Sequence, residues 1–255
     1  MANYDILGNI AIVKFPREMK VQEKKQFAAG LLRTHQSVRT VLEKSDRFKG
    51  RLRTLKTKWI AGDKTKEVLY KENGCVFRFN VESCYFSPRL ASERKEVAGM
   101  VRKGEQVLVL FGGVGPFAIV IAKRGKAARV VSVELGKECN RYAAENVKRN
   151  KVSVELVQGD VRKVLPRMRE QFDRIVMARP NLKDSFLDVS FKKVKKGGTV
   201  HYYGFYAEED VGKLRELLEG EARKAKRKIK IVRVVKAGDI GVRRFRWRAD
   251  LQVLN

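Results

Sequence analysis

The stretch VLFGGVGPFAIVIAKRG, from Val109 to Gly125, carries the pattern that decides the fold. The apolar run Val107–Leu110 predicts a buried strand, the glycines after it predict a tight turn, and the segment from Pro116 predicts a helix. Glycines at a strand end let a ligand approach the backbone, and the helix behind them offers unpaired N–H groups. The stretch predicts a strand–turn–helix unit of a ligand-binding α/β sheet, although such turns also occur without a ligand.

Strand and helix patterns alternate from Ser92 to the C-terminus, which predicts a mostly parallel sheet with helices on both faces. Strands are predicted in QVLVLF, ARVVSVE, SVELVQGD, DRIVMARP and GGTVHYYGFY. Helices are predicted in SERKEVAGMV, GPFAIVIAKRG, KECNRYAAENVKRNK, KDSFLDVSFKKV and EEDVGKLRELLEGEARKAKRK. The last two strands, KIKIVRVVKAG and FRWRADLQVL, flank the short predicted loop AGDIGVRR, so we expect an antiparallel hairpin at one sheet edge.

The residues before Ser92 predict a small α+β domain. Strands are expected in NIAIVKF, SVRTVLEK and GRLRTLKTKWIAG, and a helix in VQEKKQFAAGLLRTH. Asn73-Gly74 lies between two alternating runs and is a strong hairpin signal. We therefore predict two domains: residues 1–91, a small α+β domain, and residues 92–255, the larger α/β domain.

The charge balance points to a polyanionic partner. The 255 residues include 57 Lys and Arg against 29 Asp and Glu, a net charge of +28, which favours nucleic acid. No segment has the apolar length of a membrane helix and no signal peptide is evident, so we expect a cytoplasmic protein. The three cysteines, Cys75, Cys84 and Cys139, are widely spaced and predict neither a metal site nor a disulfide framework, only buried small side chains.

Two acids end the strands that follow the glycine turn. Glu134 ends ARVVSVE and Asp160 lies in LVQGDV. The first carboxylate can accept hydrogen bonds from ribose hydroxyls and the second from an adenine amino group, although each could simply begin a helix. Because no Gly-Lys-Ser/Thr follows the glycines, the turn is not a P-loop. The pattern favours an adenosine cofactor without a triphosphate, such as S-adenosylmethionine.

Nearly the whole chain resembles the archaeal and eukaryotic tRNA (guanine-37-N1)-methyltransferases and their relatives in wybutosine synthesis. The resemblance lies in TVLEK, RLRTLKTKWIAGD, YKENGCVFRFNV, YFSPRLASER, FGGVGPF, AENVKRNKV, GDVRKV, DRIVMARP and GGTVHYYGF. It implies a Rossmann-like class I methyltransferase fold, S-adenosylmethionine as cofactor, and methyl transfer to guanine beside the anticodon of tRNA. Family members often carry a further N-terminal domain, which we expect this chain to lack. A monomer is the default expectation.

The resemblance also implies the site residues. Glu93 matches the general base that removes the N1 proton, Arg53 matches an arginine that contacts the guanine, and Arg89 lies near the target base. Taken without the family, Glu93 would be a first-turn helix acid and Arg53 a solvated strand arginine. The cofactor pocket is implied to comprise Tyr85, Arg94, Phe111, Gly113, Gly115, Glu134, Leu135, Asp160, Val161 and Pro180.

Three positions depart from the family pattern. Val109 stands where an Asp is usual, Ala178 begins an Ala-Arg-Pro in place of Asn-Leu-Pro or Asn-Pro-Pro, and Glu134 replaces an Asp. We expect the first two changes to remove polar groups from the pocket. They leave open two alternatives: transfer of the aminocarboxypropyl group of the same cofactor, as in wybutosine synthesis, and tRNA binding without catalysis.

Two basic segments are candidates for RNA contact. They are RKAKRKIK, from Arg223 to Lys230, and RRFRWR, from Arg243 to Arg248. In the second, Phe245 and Trp247 alternate with arginines, which is compatible with base stacking but is also the pattern of a half-buried strand. We favour the strand, with the aromatic rings facing the core and the arginines facing solvent and phosphate.

Overall fold

The structure is a computed structural model that describes residues 2–45, 50, 52, 54–178, 182–241 and 243–255. Its N-terminal part is a four-stranded sheet with one covering helix, followed by a two-stranded hairpin. The elements are β1 (Asn3–Leu7), β2 (Ile10–Lys14), α1 (Val21–Thr34), β3 (Thr40–Lys44), β4 (Thr57–Gly62), β5 (Glu67–Glu72) and β6 (Cys75–Asn80). In the order β1-β2-β3-β4, only β2 and β3 are parallel. The predicted α+β character of this part is confirmed.

The hairpin β5–β6 turns at Asn73 and Gly74, as predicted. Their φ angles of 51° and 74° are both positive, as a two-residue type I′ turn requires. Glu72 pairs with Cys75 across the turn. Side chains alternate between the two faces of a strand, so Phe77 and Phe79 lie on one face of the hairpin, where both are fully buried.

The larger part is a seven-stranded sheet in the order β12-β13-β11-β10-β7-β8-β9. The elements are α2 (Ala91–Gly99), β7 (Gln106–Leu110), α3 (Pro116–Arg124), β8 (Arg129–Glu134), α4 (Lys137–Asn150), β9 (Glu155–Gln158), α5 (Val161–Arg167), β10 (Phe172–Met177), α6 (Leu187–Ser190), β11 (Val194–Ala207), α7 (Val211–Lys224), β12 (Ile229–Gly241) and β13 (Arg244–Val253). Five neighbouring strands are parallel, and β12–β13 is an antiparallel hairpin at one edge. The predicted Rossmann-like fold is confirmed.

The two faces of the larger sheet bury separate cores. Val107 and Val109 of β7 pack with α3 and the hairpin β5–β6, whereas Leu108 and Leu110 pack with residues of α5, α6 and α7. The amide of Asn146 on α4 also binds both the N–H and the C=O of Arg78, at 2.7 and 3.1 Å, which fastens the hairpin to this layer. The division placed between residues 91 and 92 stays a prediction.

Three local predictions need correction. The helix expected over residues 183–194 is only the single turn α6, because Phe186 has a φ of 58° and the Asp184 side chain accepts a bond from its N–H. Helix α5 was not predicted, since it is short and contains Pro166. The loop expected at residues 237–244 is mostly strand, because β12 extends to Gly241 through irregular pairings with β13.

The prediction that the cysteines form no disulfide is wrong for one pair. Cys84, just after β6, and Cys139, in the first turn of α4, form a disulfide with their Cα atoms 5.5 Å apart. They are separated by 55 residues, so only the fold brings them together. Cys75 is free and buried. The described residues contain neither a helix long and apolar enough to cross a membrane nor a cluster of three side chains suited to a metal ion.

Candidate active site

A first cleft opens at the carboxyl ends of β7, β8 and β10, where doubly wound sheets bind their ligands. Seven residues predicted from the sequence line it: Tyr85, Phe111, Gly113, Glu134, Leu135, Asp160 and Val161. Ala178, Tyr203 and Arg246 line it as well. The fold thus gathers most of the predicted cofactor residues around one cavity.

The glycine turn forms the floor of this cleft at the end of β7. Phe111, Gly113 and Gly115 have positive φ angles of 60°, 56° and 87°. At Gly112 the constraint is packing, because an added Cβ would lie 2.1 Å from Oγ of Ser132. Gly113 has open space above it, with the nearest atom 4.0 Å from an added Cβ, so a ligand can approach its backbone. Gly115 does not line the cleft and instead caps α3.

Glu134 joins the glycine turn to the start of the next helix. Its Oε2 accepts the N–H of Gly113 at 2.7 Å and its Oε1 accepts the N–H of Gly136 at 2.6 Å. Burial raises the pKa of this carboxyl group, and the backbone hydrogen bonds partly oppose the effect. A carboxylate has about four acceptor positions, so Glu134 keeps acceptor capacity beyond these backbone bonds, and it lines the cleft. Glu134 can therefore hold the turn and, at the same time, accept hydrogen bonds from the hydroxyl groups of a ligand.

Asp160 occupies a position compatible with both of the roles that the sequence left open. It is the N-cap of α5, with Oδ1 accepting the N–H of Arg162 at 2.9 Å, and it also lines the cleft. Apolar walls surround it: Leu135 and Val161 lie beside it, and Phe111 packs edge-on against Phe186 with the ring centroids 5.0 Å apart. Acids at two strand ends and apolar walls suit a nucleoside.

Glu93 lies behind the wall of the cleft and does not line it. It is only 7% exposed, and its Oε1 accepts the Tyr203 hydroxyl at 2.7 Å and Nη1 of Arg248 at 2.6 Å. Tyr203 does line the cleft. Burial, together with the charge of Glu93, raises the pKa of the Tyr203 hydroxyl well above its usual value, so the phenol remains a donor. Tyr203 separates Glu93 from the cavity by one hydrogen bond.

A buried polar network continues from Arg248 along the same face of the sheet. Arg248 also binds Asp250, at 2.8 Å, and Glu96, at 2.7 Å. Asp250 contacts Nδ1 of His201 at 2.6 Å, while Nη1 of Arg174 contacts Nε2 of the same ring at 2.6 Å. Because the guanidinium can only donate, Nε2 is an acceptor and Nδ1 carries the proton. Burial lowers the pKa of His201, in agreement with a neutral ring.

The remaining predicted residues lie elsewhere. Arg94 is buried in an ion pair with Glu72, at 2.5 Å for each of its two hydrogen bonds, and does not line the cleft. Arg89 is exposed and pairs with Asp5 at 3.0 Å. Arg53 and Pro180 fall outside the described residues.

A second cleft lies beside the first, between β1 of the N-terminal sheet and the end of β12. Its lining includes Asp5, Lys14, Arg89 and Asp239. Tyr85 and Arg246 line both clefts, which therefore share one boundary. Sequence reasoning missed Tyr203, Arg246 and Arg248 as site residues; the only signal was their place in the alternating strands GGTVHYYGFY and FRWRADLQVL.

Two expectations, one about the strand FRWRADLQVL and one about Val109, need revision. Trp247 is buried and Phe245 is partly buried, as expected, but Arg246 and Arg248 do not face solvent: they are 8% and 0% exposed. The reason is that β13 lies inside the sheet, between β12 and β11, and both of its faces are covered. Val109 is fully buried in the core rather than in the cleft, so its replacement of a polar residue changes the core beneath the site.

Two protein-family models match this chain. A family model described as the TRM5/TYW2 methyltransferase domain matches residues 68–232, and one described as the TYW2 N-terminal domain matches residues 1–65. The tRNA (guanine(37)-N(1))-methyltransferase Trm5b of Pyrococcus abyssi is 38% identical over 209 residues. That alignment covers 82% of this chain but only 61% of the relative.

Two further matches extend over almost the whole chain. The tRNA (guanine(37)-N(1))/4-demethylwyosine(37)-methyltransferase Taw22 of Nanoarchaeum equitans is 30% identical, across 99% of this chain and 100% of its own length. Among solved structures, the crystal structure of Trm5b from Pyrococcus abyssi superposes with a TM-score of 0.88 at 34% identity. It covers 99% of this chain and 75% of that chain.

Proposed function

Because the chain belongs to the TRM5/TYW2 methyltransferase family, we propose that it is an S-adenosylmethionine-dependent tRNA methyltransferase that acts on N1 of guanine 37. The observation that carries the proposal is the first cleft. It combines a glycine turn, the two strand-end acids Glu134 and Asp160, and Tyr203, whose hydroxyl donates to Glu93 behind the wall. Both relatives described above are named for methylation at position 37 of tRNA.

The residues of the first cleft suit the cofactor. Glu134 offers free lone pairs to the ribose hydroxyls, and Asp160 offers an acceptor to the adenine amino group. Leu135 and Val161 supply apolar contact for the purine ring. Gly113 exposes backbone to the cavity without a side chain in the way.

The reaction requires a proton acceptor near the target base. N1 of guanine carries a proton and becomes a good nucleophile only as that proton leaves. S-adenosylmethionine, when bound, supplies a sulfonium methyl group, so that the N1–carbon bond forms as the carbon–sulfur bond breaks and sulfur keeps the electron pair. The N1 proton ends on the chain, and Glu93 is the group that receives it.

Tyr203 provides the route for this proton. Its hydroxyl takes the N1 proton from the cleft while it gives its own proton to Oε1 of Glu93, 2.7 Å away. The phenol is unchanged at the end and the carboxylate is neutral, so charge and protons balance. Arg248 keeps Glu93 in place for this transfer through its bond to the same oxygen.

Product analysis tests the proposal. The protein is incubated with S-adenosylmethionine and an unmodified tRNA transcript with guanine at position 37, and the digested nucleosides are identified by mass. We expect 1-methylguanosine, and a loss of at least about a hundredfold in rate for Glu93→Gln. Glu96→Gln is the matched control, because Glu96 pairs with the same arginine but has no contact with Tyr203. Cofactor binding without a methylated nucleoside would refute the proposal.

A second candidate substrate is 4-demethylwyosine at the same position. It is favoured by the Nanoarchaeum relative, which is named for both reactions and aligns over 99% of this chain. A tRNA that carries 4-demethylwyosine tests it in the same assay. The product mass also distinguishes transfer of a methyl group from transfer of the aminocarboxypropyl group.

A further inference from the structure

Arg246 occupies the boundary between the two clefts. It projects from β13, is 8% exposed, and lines both cavities. Among the residues described in the lining of the first cleft it is the only cation, opposite the two acids of the adenosine end. Its guanidinium therefore lies where a ligand in one cleft meets a ligand in the other.

This guanidinium has no acceptor in the described part of the chain. Arg248, two residues later, binds three carboxylates, and Arg94 binds Glu72 through two hydrogen bonds. The contact of Arg246 is instead the ring of Phe205, with the guanidinium carbon 5.4 Å from the ring centroid. The Arg246 nitrogens are not among the buried polar atoms that lack a partner, and the residue lines both clefts, so the guanidinium stays reachable for an acceptor that a ligand brings.

We propose that Arg246 binds the O6 and N7 edge of the target guanine, in addition to the contact that the resemblance implies for Arg53. This inference rests on the proposed function. The two parallel N–H groups of an arginine match O6 and N7 of guanine, and this pairing rejects adenine, which presents an amino group in place of O6. The same contact stabilises the negative charge that grows on O6 as N1 loses its proton.

The shared boundary favours the base over the cofactor as the partner. The first cleft ends at Arg246 and Tyr85, and the second cleft begins there. Transfer to N1 requires the base to reach this boundary from the second cleft, whose rim carries Lys14 and Arg89. An arginine at the junction faces the incoming base edge, whereas the acids that suit the adenosine lie at strand ends beyond it.

A binding cycle tests the contact without turnover. Anticodon stem-loops with guanine or 7-deazaguanine at position 37 are titrated in the presence of S-adenosylhomocysteine, with wild type, Arg246→Met and Arg244→Met. Arg244 is the matched control, since it is exposed on the same strand two residues earlier. We expect the loss of N7 to weaken binding to wild type and Arg244→Met about tenfold, and to leave binding to Arg246→Met unchanged.

Each other outcome counts against the proposal. An equal 7-deazaguanine penalty in wild type and Arg246→Met, or none in either, would overturn it. A weaker affinity of Arg246→Met for S-adenosylhomocysteine alone would assign the arginine to the cofactor carboxylate instead. Thermal unfolding of Arg246→Met confirms that the variant is folded. Because the cycle measures binding, a wild type that makes no 1-methylguanosine would refute the proposed reaction and still leave this contact measurable.

Discussion

At the scale of single residues, the position of Tyr203 changes the role expected of Glu93. The carboxylate lies behind the wall of the cleft, and the phenol that donates to it lines the cavity. A base that acts through another group depends on that group as much as on itself. Substituting Tyr203 therefore tests whether the proton reaches Glu93 directly or through the Tyr203 hydroxyl.

Replacing Tyr203 with Phe should lower kcat by about a hundredfold, because the relay hydroxyl is lost while the ring is kept. The dissociation constant of S-adenosylmethionine should change little. Single-turnover rates with a guanine-37 transcript provide the measurement, and Tyr202→Phe, on the opposite face of β11, is the control. A full rate in Tyr203→Phe would show that Glu93 receives the proton directly.

His201 predicts a pH dependence of stability. Burial lowers its folded-state pKa below the ordinary value of 6.5, so the unfolded chain binds more protons as the pH falls below that value. The free energy of unfolding should decrease as the pH falls from 7 to 5. Denaturant titrations of His201→Gln should show a weaker decrease, since Gln can still donate to Asp250 and accept from Arg174. His35→Gln, on the surface helix end, should keep the wild-type decrease.

The sequence predicted the residues at strand ends better than those inside strands. Glu134 and Asp160 follow apolar runs, and the carboxyl ends of parallel strands meet at one edge of a sheet. Arg246 and Arg248 stand in an alternating strand, where period two alone cannot tell a solvated face from a buried one. Their burial depends on β13 being an interior strand with carboxylates from α2 above it, which is tertiary information.

At the scale of elements, the glycine turn is fixed by the neighbouring strand as well as by its own backbone. An added Cβ at Gly112 would lie 2.1 Å from Oγ of Ser132 on β8 but 3.5 Å from its Cβ. The turn therefore depends on one side-chain oxygen of the strand beside it.

Gly112→Ala should accordingly destabilise the protein by about 1 kcal/mol, because the buried Ser132 hydroxyl must rotate away from the new methyl group. Adding Ser132→Ala removes the overlapping oxygen and should restore most of the loss. Thermal unfolding of the two single variants and the double variant forms the cycle. Independent, additive effects would show that the turn adapts by another movement.

Elements with strong local signals were predicted correctly, and short elements with weak or interrupted periodicity were not. Asn73-Gly74 determines its hairpin locally, because both residues tolerate positive φ. Helix α5 is capped by Asp160 but interrupted by Pro166, so its periodicity is too short to recognise. The one-turn helix α6 replaces a longer predicted one because Asp184 and the backbone of Phe186 end the extension locally.

At the scale of the whole molecule, the net charge of +28 predicts how RNA is held. Lys228 and Lys230 are exposed at the start of β12, within the basic segment Arg223–Lys230. The double variant Lys228→Glu and Lys230→Glu should weaken tRNA binding and reduce the slope of log affinity against log salt by about 2 if both lysines neutralise phosphates. Lys195→Glu is a control at a different strand. Unchanged affinity and slope would place the RNA elsewhere.

The disulfide between Cys84 and Cys139 has a consequence for the unfolded chain. It closes a loop of 55 residues that contains α2, the glycine turn and Glu134. In the chain-entropy description, a cross-link of that span reduces the entropy of the unfolded chain and so raises the free energy of unfolding by about 4 kcal/mol. The stability of the first cleft thereby depends on the redox state of its surroundings, because the folded chain is more stable in an oxidising medium than in a reducing one.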